Sequence, residues 1–345
     1  MSAFRVATKA AGGIARRGAS FQVQRAAFNS IAKLNEREVH VTDFKNGAAS
    51  KDTFDESKYA TSKPVAPSDE AHVARPLPHS VREQLNNTMA SFTLTGKTAI
   101  VTGGARGLGN NMAQALAEAG VENLALFDIN KELGDRVAKE LHEQTGCHVV
   151  FYEVDIRTDG AMSAAVQDVV ARFGDLHVLI NSAGIAESNI KAEEYDPKEW
   201  RKTMDVNLIG AFVVNQAFGQ QLIKLGHGGS IINVASMSGG VVNYPQQQNA
   251  YNASKAGVIM MSKSLAAEWA RYGIRVNCIS PGYMDTALNR VPALDAQKVI
   301  WIDNTPQKRL GAVNDLNGLA VYLASDASAY MTGSNNIIDG GYTLW

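Results

Sequence analysis

The chain has 345 residues, of which 45% are hydrophobic and 19% charged, with a formal net charge of -1. This is ample apolar material for a globular core, and so balanced a charge gives no reason to expect nucleic acid as a partner. The two cysteines, Cys147 and Cys278, cannot form a disulfide framework, and neither they nor the seven histidines show zinc-type spacing, so no metal site is expected.

Residues 1–35 carry Arg5, Lys9, Arg16, Arg17, Arg25 and Lys33 but no Asp or Glu. Basic residues interleaved with Ala, Ser, Phe and Val give the character of a mitochondrial presequence, whose basic helix an import receptor binds and the membrane potential draws inward. The mitochondrial matrix is therefore the expected location, with a disordered basic tail on a cytoplasmic protein as the alternative. No apolar run of about 18 residues occurs, so no transmembrane helix is expected. From 36 to 91 the chain is polar and proline-dotted, without a period of 2 or 3.6, and reads as a linker or an arm. A single domain is expected over 92–345.

Regular alternation begins with KTAIVT (97–102), then a glycine turn, then the helical pattern NNMAQALAEAG, which ends at a C-capping Gly120. Strands NLALFD (123–128), HVVFYEVD (148–155) and LHVLIN (176–181) follow, separated by helices that end near Thr145 and Phe173. Two long helices, about 198–225 and 250–272, lead into strands SIINVAS (230–236) and IRVNCIS (274–280). Strands this apolar belong to a parallel sheet covered on both faces, so the expected class is α/β, a Rossmann-type doubly wound sheet.

The glycine turn is TGGARGLG, Thr102 to Gly109, with Gly103, Gly107 and Gly109 spaced GxxxGxG. Glycines allow positive φ and close backbone approach to a pyrophosphate, which the amides and dipole of the next helix favour. Such a run also serves as an ordinary strand-to-helix turn; its place between strand and helix favours the nucleotide. Asp128 ends the second strand, where a carboxylate accepts hydrogen bonds from ribose hydroxyls and repels a 2'-phosphate, so NAD is expected over NADP. Asp155, at the end of the third strand, is placed for the adenine amino group or for a helix cap.

In YNASK, Tyr251 and Lys255 stand four apart and share a helix face. A tyrosine, of ordinary pKa about 10, is a poor base near neutrality, and an ammonium one turn away would stabilise its phenolate. Alone, the pair also suits an ordinary solvated helix face.

Over 92–345 the chain resembles the short-chain dehydrogenase/reductase family, on TGGARGLG, NSAG (Asn181 to Gly184), Asn207 in MDVNLIGAF, Ser236 in INVASMSG, YNASK, PGYMDT (Pro281 to Thr286) and the terminal IDGG. The resemblance implies that Tyr251 is the general acid/base, that Lys255 tunes it and binds the nicotinamide ribose, that Ser236 holds the substrate oxygen, and that Asn207 supports a proton relay. It places Thr102, Leu108, Ile156, Asn181, Ala183 and Gly184 at the cofactor, and Pro281, Gly282 and Thr286 at its nicotinamide end. Arg106 lies in the turn, where an arginine contacts the phosphate of NADP in some relatives. Two departures are noted: Ser182 stands where the family commonly has Asn, and the interval from Ser236 to Tyr251 is longer than usual, which leaves Ser238 as the less favoured alternative to Ser236.

Within the family the chain is similar to the polyol and ketose branch, which implies a small polyol/ketose substrate and oxidation of a secondary alcohol to a 2-ketose. Asn243, Gln246, Gln247, Gln248 and Asn249, just before Tyr251, are amides able to meet several sugar hydroxyls. Two other functions share the motifs: a 3-oxoacyl or other lipid carbonyl reductase, with an apolar cleft near Tyr283, Met284 and Leu288, and a non-catalytic NAD-binding scaffold. A homo-oligomer, tetramer or dimer, is expected through the two long helices before Tyr272.

Overall fold

A chain that alternates fully apolar strands with amphipathic helices buries its strands only by covering both faces of one parallel sheet. The computed structural model describes residues 73–286, Asn289 and 294–345, and the backbone of 40–45 and 48–53. The basic segment 1–35 lies outside the described residues. Two units are distinguished, residues 1–65 and 66–345. In the first, His40–Lys45 (β1) and Ala48–Thr53 (β2) pair as an antiparallel hairpin with His40 opposite Thr53. Neither HVTDFK nor AASKDT alternates apolar with polar residues, so this pairing had no sequence signal.

The second unit is built on a seven-stranded parallel sheet in the order β5-β4-β3-β6-β7-β8-β9. Its strands are Thr98–Thr102 (β3), Asn123–Asp128 (β4), His148–Glu153 (β5), Val178–Asn181 (β6), Gly229–Val234 (β7), Ile274–Pro281 (β8) and Asn335–Ile338 (β9). All but β9 match the expected strands; NNII is too short to show a period. The chain runs from β3 outward through β4 to β5, then returns to form β6 on the other side of β3. That reversal leaves a crevice at the carboxyl ends of β3 and β6, where Thr102 pairs in register with Asn181.

The helices are Gly107–Glu118 (α1), Lys131–Thr145 (α2), Ala161–Phe173 (α3), Pro197–Met204 (α4), Ala211–Leu225 (α5), Asn249–Trp269 (α6), Asp295–Asn304 (α7) and Asn317–Ala324 (α8). One face of the sheet is packed by Met112 and Leu116 of α1 with Leu316 and Leu323; the other by Met162, Val166, Phe218 and Leu222 of α3 and α5. Each such side chain contributes about 1.5–3 kcal/mol on full burial. The single helix expected over 198–225 is α4 and α5 joined by a π-helical turn, Asp205–Gly210, which carries Asn207. An extra residue in a helical turn re-aims the side chains around it, and such turns collect at functional sites.

Residues 73–91, expected as part of a linker, pack on this unit. Ala74 is buried and its N–H donates to Gln144 Oε1 at 3.0 Å, while the Leu77 N–H donates to the Glu118 carbonyl at 3.0 Å. Among the described residues no helix is long and apolar enough to cross a membrane.

Candidate active site

β3 delivers Thr102 to the crevice fully buried, and its hydroxyl organises the floor. Thr102 Oγ1 donates to Asn181 Oδ1 at 2.9 Å and accepts the N–H groups of Ser182 and Ala183, each at 3.1 Å. Asn181 in turn donates to the Ala211 carbonyl (3.2 Å) and to Asn233 Oδ1 (3.1 Å). The NSAG stretch is thus held by bonds to side chains of β3 and β7, and Ser182 enters them only through its backbone.

The glycine turn has the shape that a pyrophosphate needs. Gly103 and Gly107 lie at φ +63° and +62°, and a Cβ on Gly109 would run into the Gly103 carbonyl. No side chain caps α1 at Arg106, so the amides of its first turn stay open to an anion, beside Leu108. Asp128 accepts the N–H of Ala105 (3.2 Å) and of Asn130 (3.1 Å), so this carboxylate holds the turn. Arg106 is exposed. These residues fit a dinucleotide.

Asp155 Oδ1 accepts the Arg157 N–H at 2.9 Å, a local capping contact. Its two oxygens bind the Arg157 guanidinium, at 2.6 Å for Nη2 to Oδ2, and that hydrogen bond outweighs burial to hold the carboxyl below its ordinary range. Its neighbour Ile156 is buried and packs where a Cβ on Gly210 would stand, at 2.7 Å. At the other end of the crevice, Pro281 closes β8 and Gly282 lies so close to Asp339 that a Cβ would come within 2.6 Å of its Cα. Thr286 stands half-buried beyond it, its N–H on the Met284 carbonyl.

Asn207, Ser236, Tyr251 and Lys255 converge from three segments: the π-helical turn, the end of β7 and α6. Asn207 accepts the Ile185 N–H (2.8 Å) and donates to the Ile185 carbonyl (2.8 Å) and Ser254 Oγ (3.1 Å). A Cβ on Gly184 would stand 3.2 Å from Asn207 Oδ1 and 3.7 Å from Lys255 Nζ, so a larger residue would press on Asn207 where these groups meet. Lys255 Nζ donates to the Val234 carbonyl at 2.8 Å and lies 5.6 Å from the centre of the Tyr251 ring. Burial disfavours the charged form of both groups: it pulls the Lys255 ammonium down to about 8 and pushes the Tyr251 phenol up, opposed by a hydrogen bond from Ser236. The expected lowering of Tyr251 by Lys255 is therefore outweighed by burial within the chain itself.

The substrate side is polar. Tyr283 stacks on Trp301 at 4.2 Å and 7°, and its hydroxyl accepts from Asn243 Nδ2 (3.0 Å) and Gln246 Nε2 (3.1 Å). Met284 is buried in the core, and Leu288 lies outside the described residues. Of the five amides before Tyr251, Asn243 and Gln246 are buried and Asn249 Oδ1 accepts the Trp200 indole N–H at 2.9 Å. Trp301 carried no sequence signal, being one aromatic residue on an ordinary helix.

At the opposite, amino end of the strands, Asp175, His177 and His227 come together although their spacing is not that of a metal site. Their contacts are those of protons: His177 Nδ1 accepts the Thr98 N–H (3.1 Å), which leaves its proton on Nε2 facing Asp175, and His227 lies between Asp175 Oδ1 (2.6 Å) and the Gly228 carbonyl (3.0 Å).

A nucleotide cradle that runs into a half-buried tyrosine and a buried lysine defines a nicotinamide-dependent oxidoreductase. The family model described as enoyl-(acyl carrier protein) reductase matches residues 103–343. The chain is 41% identical over 275 residues to D-arabinitol 2-dehydrogenase (ribulose-forming) of Candida tropicalis, covering 75% of this chain and 97% of that protein. It is 39% identical over 260 residues to NADP-dependent mannitol dehydrogenase of Hypocrea jecorina, covering 75% and 96%. The crystal structure of a short-chain type dehydrogenase/reductase from Mycobacterium marinum superposes with a TM-score of 0.72 at 35% identity, over 75% of this chain and 100% of that one. The chain belongs to the short-chain dehydrogenase/reductase family.

The sign of the pH dependence follows from Tyr251. Alcohol oxidation needs its deprotonated form, which burial makes harder to reach, so kcat/KM for oxidation should rise with pH and that for ketone reduction should fall. Initial rates in both directions between pH 6 and 10 check this, and a flat oxidation profile would remove Tyr251 as the base.

Proposed function

We infer that the protein oxidises a polyol to a 2-ketose with NAD and works as a homo-oligomer. The observation that carries the substrate class is the similarity to polyol dehydrogenases over nearly the whole of their length. The named substrates of the two enzyme relatives, arabinitol and mannitol, are of the same class.

Tyr251 as phenolate takes the proton of the alcohol, while Ser236 donates a hydrogen bond to the same oxygen and holds it in place. A bound nicotinamide supplies the acceptor for the hydride that leaves the carbinol carbon. Lys255 and the glycine turn hold the two ends of that cofactor. The intact set Asn207, Ser236, Tyr251 and Lys255 favours turnover over a binding scaffold.

NAD is supported by the negative charge of Asp128 at the ribose position, against the exposed Arg106. An oligomer is supported by exposed apolar side chains along the long helices: Ile209, Phe212, Ile223 and Met260.

Purified protein from residue 66 onward, with NAD, should turn over D-arabinitol, mannitol or sorbitol, and Tyr251→Phe should reduce kcat by at least about a hundredfold. Turnover of 3-oxoacyl thioesters with none of polyols would reject the substrate class. Asp128→Ala should lower kcat/KM with NAD by about tenfold or more and raise the NADP to NAD ratio; a wild-type preference for NADP would reject the cofactor. Light scattering should give the mass of a dimer or tetramer, and a monomer would reject the assembly.

A further inference from the structure

Ser236 does not stand alone at the end of β7. It caps the short helical turn Met237–Gly239, its Oγ accepting the Ser238 N–H at 3.1 Å, and it lies 3.0 Å from Ser238 Oγ. Both serines are buried. Gln248 reaches this pair from the start of α6: its Nε2 donates to Ser238 Oγ (3.3 Å) and to Asn243 Oδ1 (2.8 Å). Asn243 Nδ2 then donates to the Tyr283 hydroxyl, which also receives Gln246 Nε2, and Gln246 Oε1 accepts the Trp301 indole N–H at 3.0 Å. One unbroken chain of hydrogen bonds therefore joins Ser236 to the aromatic wall.

The polarity of that chain matters for the reaction. An indole N–H only donates, so Gln246 must turn its carbonyl to Trp301 and its NH2 to Tyr283. At the other end, either hydroxyl of the Ser236–Ser238 pair can donate across the gap between them. An N–H from Gln248 on Ser238 Oγ makes that hydroxyl the stronger donor of the pair, which favours its proton on the side of Ser236. Ser236 Oγ then accepts twice, from the Ser238 N–H and the Ser238 hydroxyl, and its own proton is left for the oxygen held against Tyr251. Successive donors polarise one another, which strengthens the last bond in the chain where negative charge builds on the alcohol oxygen.

We propose that Gln248 is a positioning residue that, through Ser238, directs the Ser236 proton onto the reacting oxygen, rather than an amide that binds a substrate hydroxyl. This rests on the dehydrogenase activity inferred above but not on the identity of the alcohol. Both N–H groups of its amide are spent inside the protein, which is the opposite of what a sugar-binding side chain needs.

The test compares Gln248→Glu, Gln248→Leu and Ser238→Ala in the wild-type and Ser236→Ala backgrounds, with whichever secondary alcohol of a C3 to C6 panel the wild type oxidises best. Glutamate keeps the shape but, when ionised, accepts from Ser238 and reverses the chain. Gln248→Glu should lower kcat about ten- to a hundredfold, with KM and NAD affinity changed less than about twofold, and activity should recover as the pH is lowered enough to protonate the new carboxyl. Gln248→Leu and Ser238→Ala should each lower kcat by a smaller factor, with circular dichroism unchanged. In the Ser236→Ala background, all three changes should have almost no further effect on kcat. A raised KM at unchanged kcat in Gln248→Leu, or equal losses in the two backgrounds, would overturn the relay alone. A wild type that turns over no alcohol would overturn both the relay and the activity on which it rests.

Discussion

The site depends on one buried hydroxyl, Thr102 Oγ1, at the point where the sheet reverses direction. Strand ends that diverge at a crevice expose backbone donors and acceptors which, without partners, would each cost about 1–3 kcal/mol. Thr102 satisfies two amides of the segment after β6 and donates to Asn181, and Asn181 and Asn215 both donate to Asn233 Oδ1. Asn233 also donates to Ser262 Oγ on α6, the helix that carries Tyr251 and Lys255. The floor of the nucleotide site and the catalytic helix thus belong to one polar network within an otherwise apolar interior. Each member is an amide or hydroxyl of fixed donor and acceptor capacity, so the network specifies a single geometry where apolar packing alone would tolerate several.

Burial shapes the chemistry as directly as it shapes the fold. By resisting charge on Tyr251 and Lys255 alike, the interior keeps the phenol protonated and the amine only weakly basic until other charges arrive. Ordinary water would leave the lysine fully charged and the tyrosine solvated. The dry cleft makes each remaining hydrogen bond, above all that from Ser236, count for more.

Much of this was legible in the sequence. Six of the seven strands of the sheet showed as predominantly apolar runs because strands covered by helices on both faces carry few polar residues. Glycine positions were readable because backbone at φ near +60° or within contact of a carbonyl admits nothing larger. What escaped was set by distance along the chain. The stacking of Trp301 on Tyr283, the Asn243–Gln248 contact and the Asp175, His177 and His227 cluster each join residues whose types are common and whose spacings are arbitrary. The five polar residues before Tyr251 stood out as amides able to meet sugar hydroxyls, but their spacing could not show that Asn243, Gln246 and Gln248 bond to other side chains.

Asp128 is one carboxylate with two duties. It holds the N–H groups of Ala105 and Asn130, and it is the acid at the end of the second strand on which the proposed preference for NAD rests, so a change of its charge also alters the glycine turn. A variant that put a cation in its place would have to replace the lost acceptor before, or together with, that gain. Its evolutionary path would run through a neutral acceptor such as serine or asparagine, and not directly from aspartate to arginine.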